Sequence, residues 1–326
     1  MKTVKESVDT AIIRDRIMAA MLGYAIGDAL GKGTELMSKV EARHFYPDGL
    51  KEYSRIIRDG HRSQWKRNEW TGDTELLLLT ADALSEDKDY VADTHARRIY
   101  EWFNNTEEEV VPLFRWILSK PEYLENPKEV AGEVWRNMPN LEASNEALGR
   151  CLILSFMPVN YRAILADGCR LTHHDSRCLS SAAVVGTIAH SLLWHGIMPS
   201  RETLCEVAAG IDERTIPFVE MAYNKEIADF GLDNPQTFWF TRLAMATGIW
   251  TLVNCETMEK ALDKVVMEAG DADTNASLAL ALLGLKFGTD ALPASLLEEL
   301  NDKERVVRCA EKLAGTIIDL AENGIE

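Results

Sequence analysis

Ala269-Gly-Asp-Ala-Asp-Thr-Asn-Ala-Ser277 sets two carboxylates at i and i+2, follows them with a hydroxyl, and then runs into an apolar stretch from Leu278 to Leu285. If that stretch is a helix, Asp271, Asp273 and Thr274 crowd oxygens at its start, where free N–H groups and the dipole favour negative charge. Two like charges so close still repel unless a cation is shared between them. Oxygen donors without sulfur suit Mg²⁺, Mn²⁺ or Ca²⁺ better than Zn²⁺. The order resembles the beginning of an EF-hand loop, but Ala276 stands where the glycine belongs and Leu282 where the glutamate belongs, so that reading fails. A helix start capped by Asp273 or Thr274 accounts for the same residues as well as a metal does.

A second oxygen-rich turn, Trp70-Thr-Gly-Asp-Thr74, precedes the apolar run Glu75 to Leu84. Thr71 as a helix N-cap is the plain explanation. Two such turns leading apolar helices make a shared cation site a stronger expectation than either turn alone. Upstream, Gly23, Gly27 and Gly31 recur every four residues in a helical pattern over 11–31, with Asp28 between two of them and Glu35 just beyond. Each glycine costs a helix about 1 kcal/mol relative to alanine. The stripe therefore predicts close approach by another backbone or by a ligand. The competing picture is a packed central helix whose acids are solvated.

Leu171-Thr-His-His-Asp-Ser-Arg177 carries two adjacent histidines, which cannot share a helix face, so an i, i+4 zinc pair is excluded. His173 is a candidate ligand contact from a loop; a surface histidine pair beside a helix capped by Asp175 is the plainer reading. Ser144-Asn145 reads as the cap of an apolar helix reaching Phe156.

The elements that must position these groups are helical. Patterns of helical period cover 91–105, 107–120, 178–195, 202–210, 236–254, 256–268, 275–288 and 303–322, with Glu107-Glu108-Glu109 as a solvated first turn. Residues 44–70 read as a loop and 121–140 as loop-rich. Convincing period-2 strands and repeats are lacking. The expected fold class is all-α, as a single compact multi-helix domain over 1–326.

With 35 basic and 52 acidic residues the net charge is −17, which argues against nucleic acid or an anionic membrane surface as a partner. Cys151, Cys169, Cys178, Cys205, Cys255 and Cys309 form no C-x-x-C pair, and most lie within apolar helical patterns. Reduced core thiols fit that better than disulfides or zinc. With no signal-like N-terminal core and no apolar run of about 18 residues, the protein is expected to be soluble and cytoplasmic.

Four stretches, in order, together resemble the ADP-ribosylglycohydrolase family. They are Gly23-Tyr-Ala-Ile-Gly-Asp-Ala-Leu-Gly31 with Glu35, Trp70-Thr-Gly-Asp-Thr74, Thr172-His-His-Asp-Ser-Arg177, and Gly270-Asp-Ala-Asp-Thr274 with Gly284 and Gly288. The resemblance implies an all-helical domain with two Mg²⁺ ions, or Mn²⁺, at the base of a cleft for ADP-ribose or an ADP-ribosylated protein. Thr71, Asp73, Asp271, Asp273 and Thr274 are then the metal ligands. Glu35 matches the glutamate near the reacting ribose, and Glu35 or Asp73 would serve as acid or base. His173 matches a cleft histidine, and Ser144-Asn145 a loop approaching the distal ribose and phosphates. Asp28 and Gly270 are counted with these substrate-binding residues. The implied reaction is hydrolysis of the bond between ADP-ribose and a protein side chain, arginine-linked in first place and serine-linked in second.

Two positions depart from the family pattern. Gly72 replaces the first aspartate of a T-D-D-T turn, which removes a carboxylate and weakens one ion site. Glu146 stands where an N-G-A-x-M-R stretch has glycine. Glu146 and Glu75 are the candidates for a replacement oxygen. The alternative function is a degenerate member that binds ADP-ribose or a related nucleotide without hydrolysing it.

Overall fold

The computed structural model describes residues 9–86, 90–107, 110–138 and 143–323. Among them the chain forms sixteen α-helices and no named strand. These are α1 (Thr10–Gly31), α2 (Lys39–Phe45), α3 (Gly72–Glu86), α4 (Ala92–Asn105), α5 (Pro112–Leu118), α6 (Pro127–Asn137), α7 (Leu148–Leu154) and α8 (Tyr161–Arg170). The second half adds α9 (Ser176–His195), α10 (Arg201–Ala209), α11 (Ile216–Asn224), α12 (Thr241–Asn254), α13 (Met258–Val266), α14 (Ala272–Phe287), α15 (Ala294–Glu299) and α16 (Lys303–Asn323).

The all-α expectation holds, with local corrections. The stretch 121–140 contains α6, started by Pro127 at its first turn, where proline's missing N–H costs nothing. The helix expected over 107–120 begins only at Pro112, so Glu107 lies outside it; Glu108 and Glu109 fall outside the described residues. The helix expected from Ser144 begins at Leu148, with Ala147 at its N-cap position and no side-chain cap, while Ser144 instead pairs in an isolated bridge with Phe240. No helical period marks α2, α8, α11 or α15 in the sequence. The 236–254 helix starts at Thr241.

At the centre, α1 and α14 run antiparallel and touch backbone to backbone. A Cβ on Gly27 would lie 2.5 Å from the Ala276 carbonyl, one on Gly31 2.5 Å from Ala272 O, and one on Gly284 2.5 Å from Ala19 O. The glycine stripe therefore serves a partner backbone. Both helices are buried on every side over most of their length, as helices apolar all round must be. α12, α13 and α16 pack around the pair, while α4, α5 and α6 bury a separate apolar cluster with Tyr123 and Leu171.

The antiparallel contact brings the C-terminal end of α1 to the N-terminal end of α14, and α3 starts at the same place. Helix ends of opposite partial charge meet there, and two N-termini face one cleft. The six cysteines are free thiols, five of them buried. Among the described residues no helix is long and apolar enough to cross a membrane.

Candidate active site

Asp28, one turn before the end of α1, is fully buried and caps α3 from outside. Its Oδ1 accepts from Thr71 N at 3.0 Å, and its Oδ2 accepts from Thr74 N at 3.0 Å and Thr74 Oγ1 at 2.6 Å. The expectation of a solvated acid is overturned. Asp28 also does not line the cleft, so its expected place among the substrate-binding residues gives way to a structural one. Because Asp28 satisfies the first N–H groups of α3, Asp73 is free to face outward. Asp73 Oδ2 accepts from Thr274 Oγ1 at 2.7 Å, which joins the two oxygen-rich turns across 201 residues of sequence.

Asp271 occupies the N-cap position of α14 but makes no capping bond to its own helix. It accepts instead from the Asn145 amide, and from Thr274 Oγ1 at 3.4 Å. Asp273 Oδ1 accepts from Thr274 N at 2.9 Å. The capping explanation therefore fails for Asp271 and accounts for only one oxygen of Asp273.

Glu35 is brought to the same point by a strained loop. Leu36 has φ +59°, and Ala269 and Gly270 follow suit at +60° and +69°. Leu36 N donates to Gly270 O at 2.7 Å and Gly270 N to Met37 O at 3.0 Å, tying the loop to the entry of α14. Buried Arg62 fixes it from behind, its Nε donating to Gly33 O at 2.8 Å and its Nη2 to Glu35 O. A Cβ on Gly270 would lie 1.9 Å from Leu232 O, so this residue shapes the loop and does not line the cleft. As a result, one oxygen each from Glu35, Asp271 and Asp273 lies within 4.8 Å of the others.

The resulting cleft of about 280 Å³ is floored by Glu35, Thr71, Gly72, Asp73, Asp271, Asp273 and Thr274, with Asn145 and Glu146 at one side. Trp65, Trp102, Phe114 and Trp239 supply its aromatic surface. Among the described residues no Lys or Arg lines it; the basic group is His61, whose Nε2 lies 2.7 Å from Glu35 Oε2. Lys32 sits nearby but is spent on carbonyls, donating to Ala29 O at 3.0 Å, Arg67 O at 2.9 Å and Glu69 O. Burial pulls its ammonium down to about 8.

The carboxylates show the strain of this arrangement. Burial pushes Asp271 up to about 7, with Glu35 and Glu146 adding repulsion and the Asn145 amide opposing it. Burial, then Glu35, Asp271 and Asp73, hold Asp273 well above the usual carboxylate range. Asp73 is raised in the same way by burial, Asp28 and Asp271, against the Thr274 hydrogen bond. A buried group of hard oxygens whose charges lack a side-chain cation is what a hard divalent cation would neutralise. The donor set fits Mg²⁺ or Mn²⁺.

His173 and Ser144 do not line the cleft. His173 is fully buried, which overturns the surface-pair reading: its Nε2 lies 2.9 Å from Glu146 Oε2 and 3.1 Å from Ser144 Oγ. Both expected substrate contacts therefore stand behind Glu146. The Asp175 cap of α9 is present, accepting from Arg177 N at 2.8 Å. Of the two candidates for a replacement oxygen, Glu75 is excluded by geometry. It is paired with Arg305 at 2.6 and 2.7 Å and with Trp70 Nε1 at 2.9 Å, away from the floor. His61, Arg62 and Trp65 carry no signal in the sequence, because the 44–70 segment shows only charge and turn formers and no period; Trp102 and Trp239 lie inside the helical patterns 91–105 and 236–254, where an aromatic reads as core.

The chain belongs to the ADP-ribosylglycohydrolase family, whose pattern matches residues 9–323. It is 26% identical to the ADP-ribosyl-[dinitrogen reductase] glycohydrolase of Rhodospirillum rubrum, over 91% of this chain and 94% of that protein. It is 21% identical to the ADP-ribosylarginine hydrolase Tri1 of Pseudomonas putida (strain GB-1), over 92% of this chain and 78% of that one. In fold it is similar to a solved ADP-ribosylglycohydrolase-related protein complex, with a TM-score of 0.72, 21% identity, and coverage of 94% of this chain and 99% of that chain.

Proposed function

We propose that the chain, acting as one domain over 1–326, hydrolyses the glycosidic bond between ADP-ribose and a protein side chain, arginine-linked in first place and serine-linked in second. The observation that carries this reading is the convergence of Glu35, Asp271 and Asp273 within 4.8 Å at the floor of an aromatic-walled cleft. The two relatives named as acting on ADP-ribosylated dinitrogen reductase and on ADP-ribosylarginine support the arginine linkage.

Thr71, Asp73, Asp271, Asp273 and Thr274, with Glu35 beside them, are the groups that would hold two Mg²⁺ or Mn²⁺ ions. Such ions supply Lewis acidity and lower the pKa of water. Hydrolysis forms a bond from water oxygen to the anomeric carbon and breaks the carbon–nitrogen bond to the guanidinium. Glu35, paired with His61, would take the proton from water or return one to the departing nitrogen, and Asp73 is the second candidate for that exchange. The aromatic walls offer stacking surfaces for an adenine and keep bulk water out. With no Lys or Arg among the described lining residues, phosphates depend on the cations and on backbone N–H groups.

A second reading rests on Gly72, which lines the cleft and brings no oxygen: a binder of ADP-ribose that has lost the chemistry. Release of ADP-ribose from mono-ADP-ribosylated arginine and serine peptides, with Mg²⁺, Mn²⁺ or EDTA, separates the two. Metal-dependent release from the arginine peptide is expected. Calorimetric binding of ADP-ribose with no release from either peptide would establish the binder.

A further inference from the structure

Arg150 is fully buried, and its Nη2 donates to Thr172 Oγ1 at 2.5 Å and its Nη1 to Gly168 O at 3.3 Å, with the Phe114 ring 5.8 Å away. A guanidinium can only donate, so the Thr172 hydroxyl accepts. That hydroxyl has one proton to give, and the acceptor it meets among the described residues is His173 Nδ1, at 2.8 Å. Giving that proton to Nδ1 uses every donor in the row and leaves the imidazole's own proton on Nε2. This N–H points at Glu146 Oε2, 2.9 Å away. A row of four side chains thus runs from a buried cation to a carboxylate on the cleft wall and fixes the direction of every hydrogen bond in it.

Burial works against the Glu146 carboxylate, yet the hydrogen bond from His173, with a further bond from Ser144, leaves it below the ordinary glutamate range. Glu146 shares the cleft with Asp73 and Asp271. Asn145, the preceding residue, holds Asp271 directly. An imidazole N–H spent on one oxygen of a cleft carboxylate, in a cleft with no Lys or Arg among its described lining residues, leaves the other oxygen of that carboxylate to a cation.

We propose that Glu146 is a cation-binding carboxylate of this cleft, positioned by Arg150, Thr172 and His173, and that it provides the oxygen Gly72 does not. The assignment rests on the metal-dependent reading above. It is tested by Mn²⁺ titration followed by electron paramagnetic resonance on the full chain, comparing the parent with Glu146→Gln, Asp271→Asn and Glu75→Gln. Glu146→Gln keeps the size of the side chain and an oxygen for the His173 N–H, and is expected to weaken Mn²⁺ binding by at least about tenfold. Glu75→Gln is expected to bind as the parent does.

In ¹⁵N-labelled protein, His173 should show a bare Nδ1 and a protonated Nε2. Thr172→Val should disturb that pattern and weaken Mn²⁺ binding, and Thr172→Ser should restore both. Parent-like Mn²⁺ affinity in Glu146→Gln, with binding abolished in Asp271→Asn, would overturn this assignment alone. No Mn²⁺ binding by the parent would overturn the metal-dependent reading together with it. A parent His173 protonated on Nδ1 would overturn the positioning row.

Discussion

Asp271→Asn should make the cation-free protein more stable while removing its response to metal. In the folded chain the Asp271 carboxyl is pushed from 3.8 up to about 7, chiefly by burial. An acid whose folded value is raised loses stability as pH climbs from the unfolded value toward the folded one, because the folded state then binds more protons than the unfolded state. At pH 8 the full gap of about 3 units is felt, at most about 4 kcal/mol. At pH 5 the folded group is still protonated, and the penalty shrinks to less than half of that.

Asparagine keeps an oxygen for the Asn145 amide and has no charge to bury. For 326 residues the unfolding entropy is about 0.7 kcal/mol/K, so relief of at most about 4 kcal/mol at pH 8 corresponds to at most roughly 6 °C in Tm. Calorimetry in EDTA at pH 5 and pH 8 reads this directly: the variant should melt above the parent, with the larger margin at pH 8. Adding Mn²⁺ at a hundred times its Kd should lift the parent by about 2.7 kcal/mol and the variant far less. A variant that melts below the parent at pH 8 without cation would refute the claim that this carboxylate is stored at a cost to the fold.

Two further outcomes follow from the same geometry. Gly27→Ala gains about 1 kcal/mol of helix propensity but drives a methyl into the Ala276 and Ser277 backbone, an overlap that costs about 1–3 kcal/mol or more; a lowered denaturation midpoint is expected, and an unchanged or raised one would show that α1 and α14 can part freely. Gly72→Asp should restore Mn²⁺ affinity in the Glu146→Gln background and change the parent little, measured by the same titration; no recovery would place residue 72 outside reach of the cation.

Much of this architecture was legible in local pattern. Apolar period and punctuation marked α1, α3, α9, α14 and α16, since a buried helix needs only its own neighbours in sequence to be recognised. The cost of Gly23, Gly27 and Gly31 pointed to close approach by a backbone or a ligand, and hard oxygens at two helix starts pointed to a shared cluster of oxygen donors. What the pattern could not carry was destination. Ser144 at a helix-like start and His173 in a loop look like a cap and a surface group. Their partners, Glu146 beside Ser144 and 27 residues before His173, and Arg150 acting through Thr172, are chosen by how α7, α8 and α9 meet.

The sequence by itself determined the long buried helices, the glycine stripe and the oxygens available at each turn, because these follow from residues a few places apart. Only the tertiary structure decided which oxygens share a site. Asp28 lies 43 residues from the N–H it caps at Thr71, Thr274 lies 201 from the Asp73 it joins, and Asp271 lies 126 from the Asn145 that holds it. Glu75 was turned toward Arg305 and Glu146 toward the cleft by packing alone, since nothing in the spacing of either carboxylate distinguishes a surface ion pair from a cation ligand.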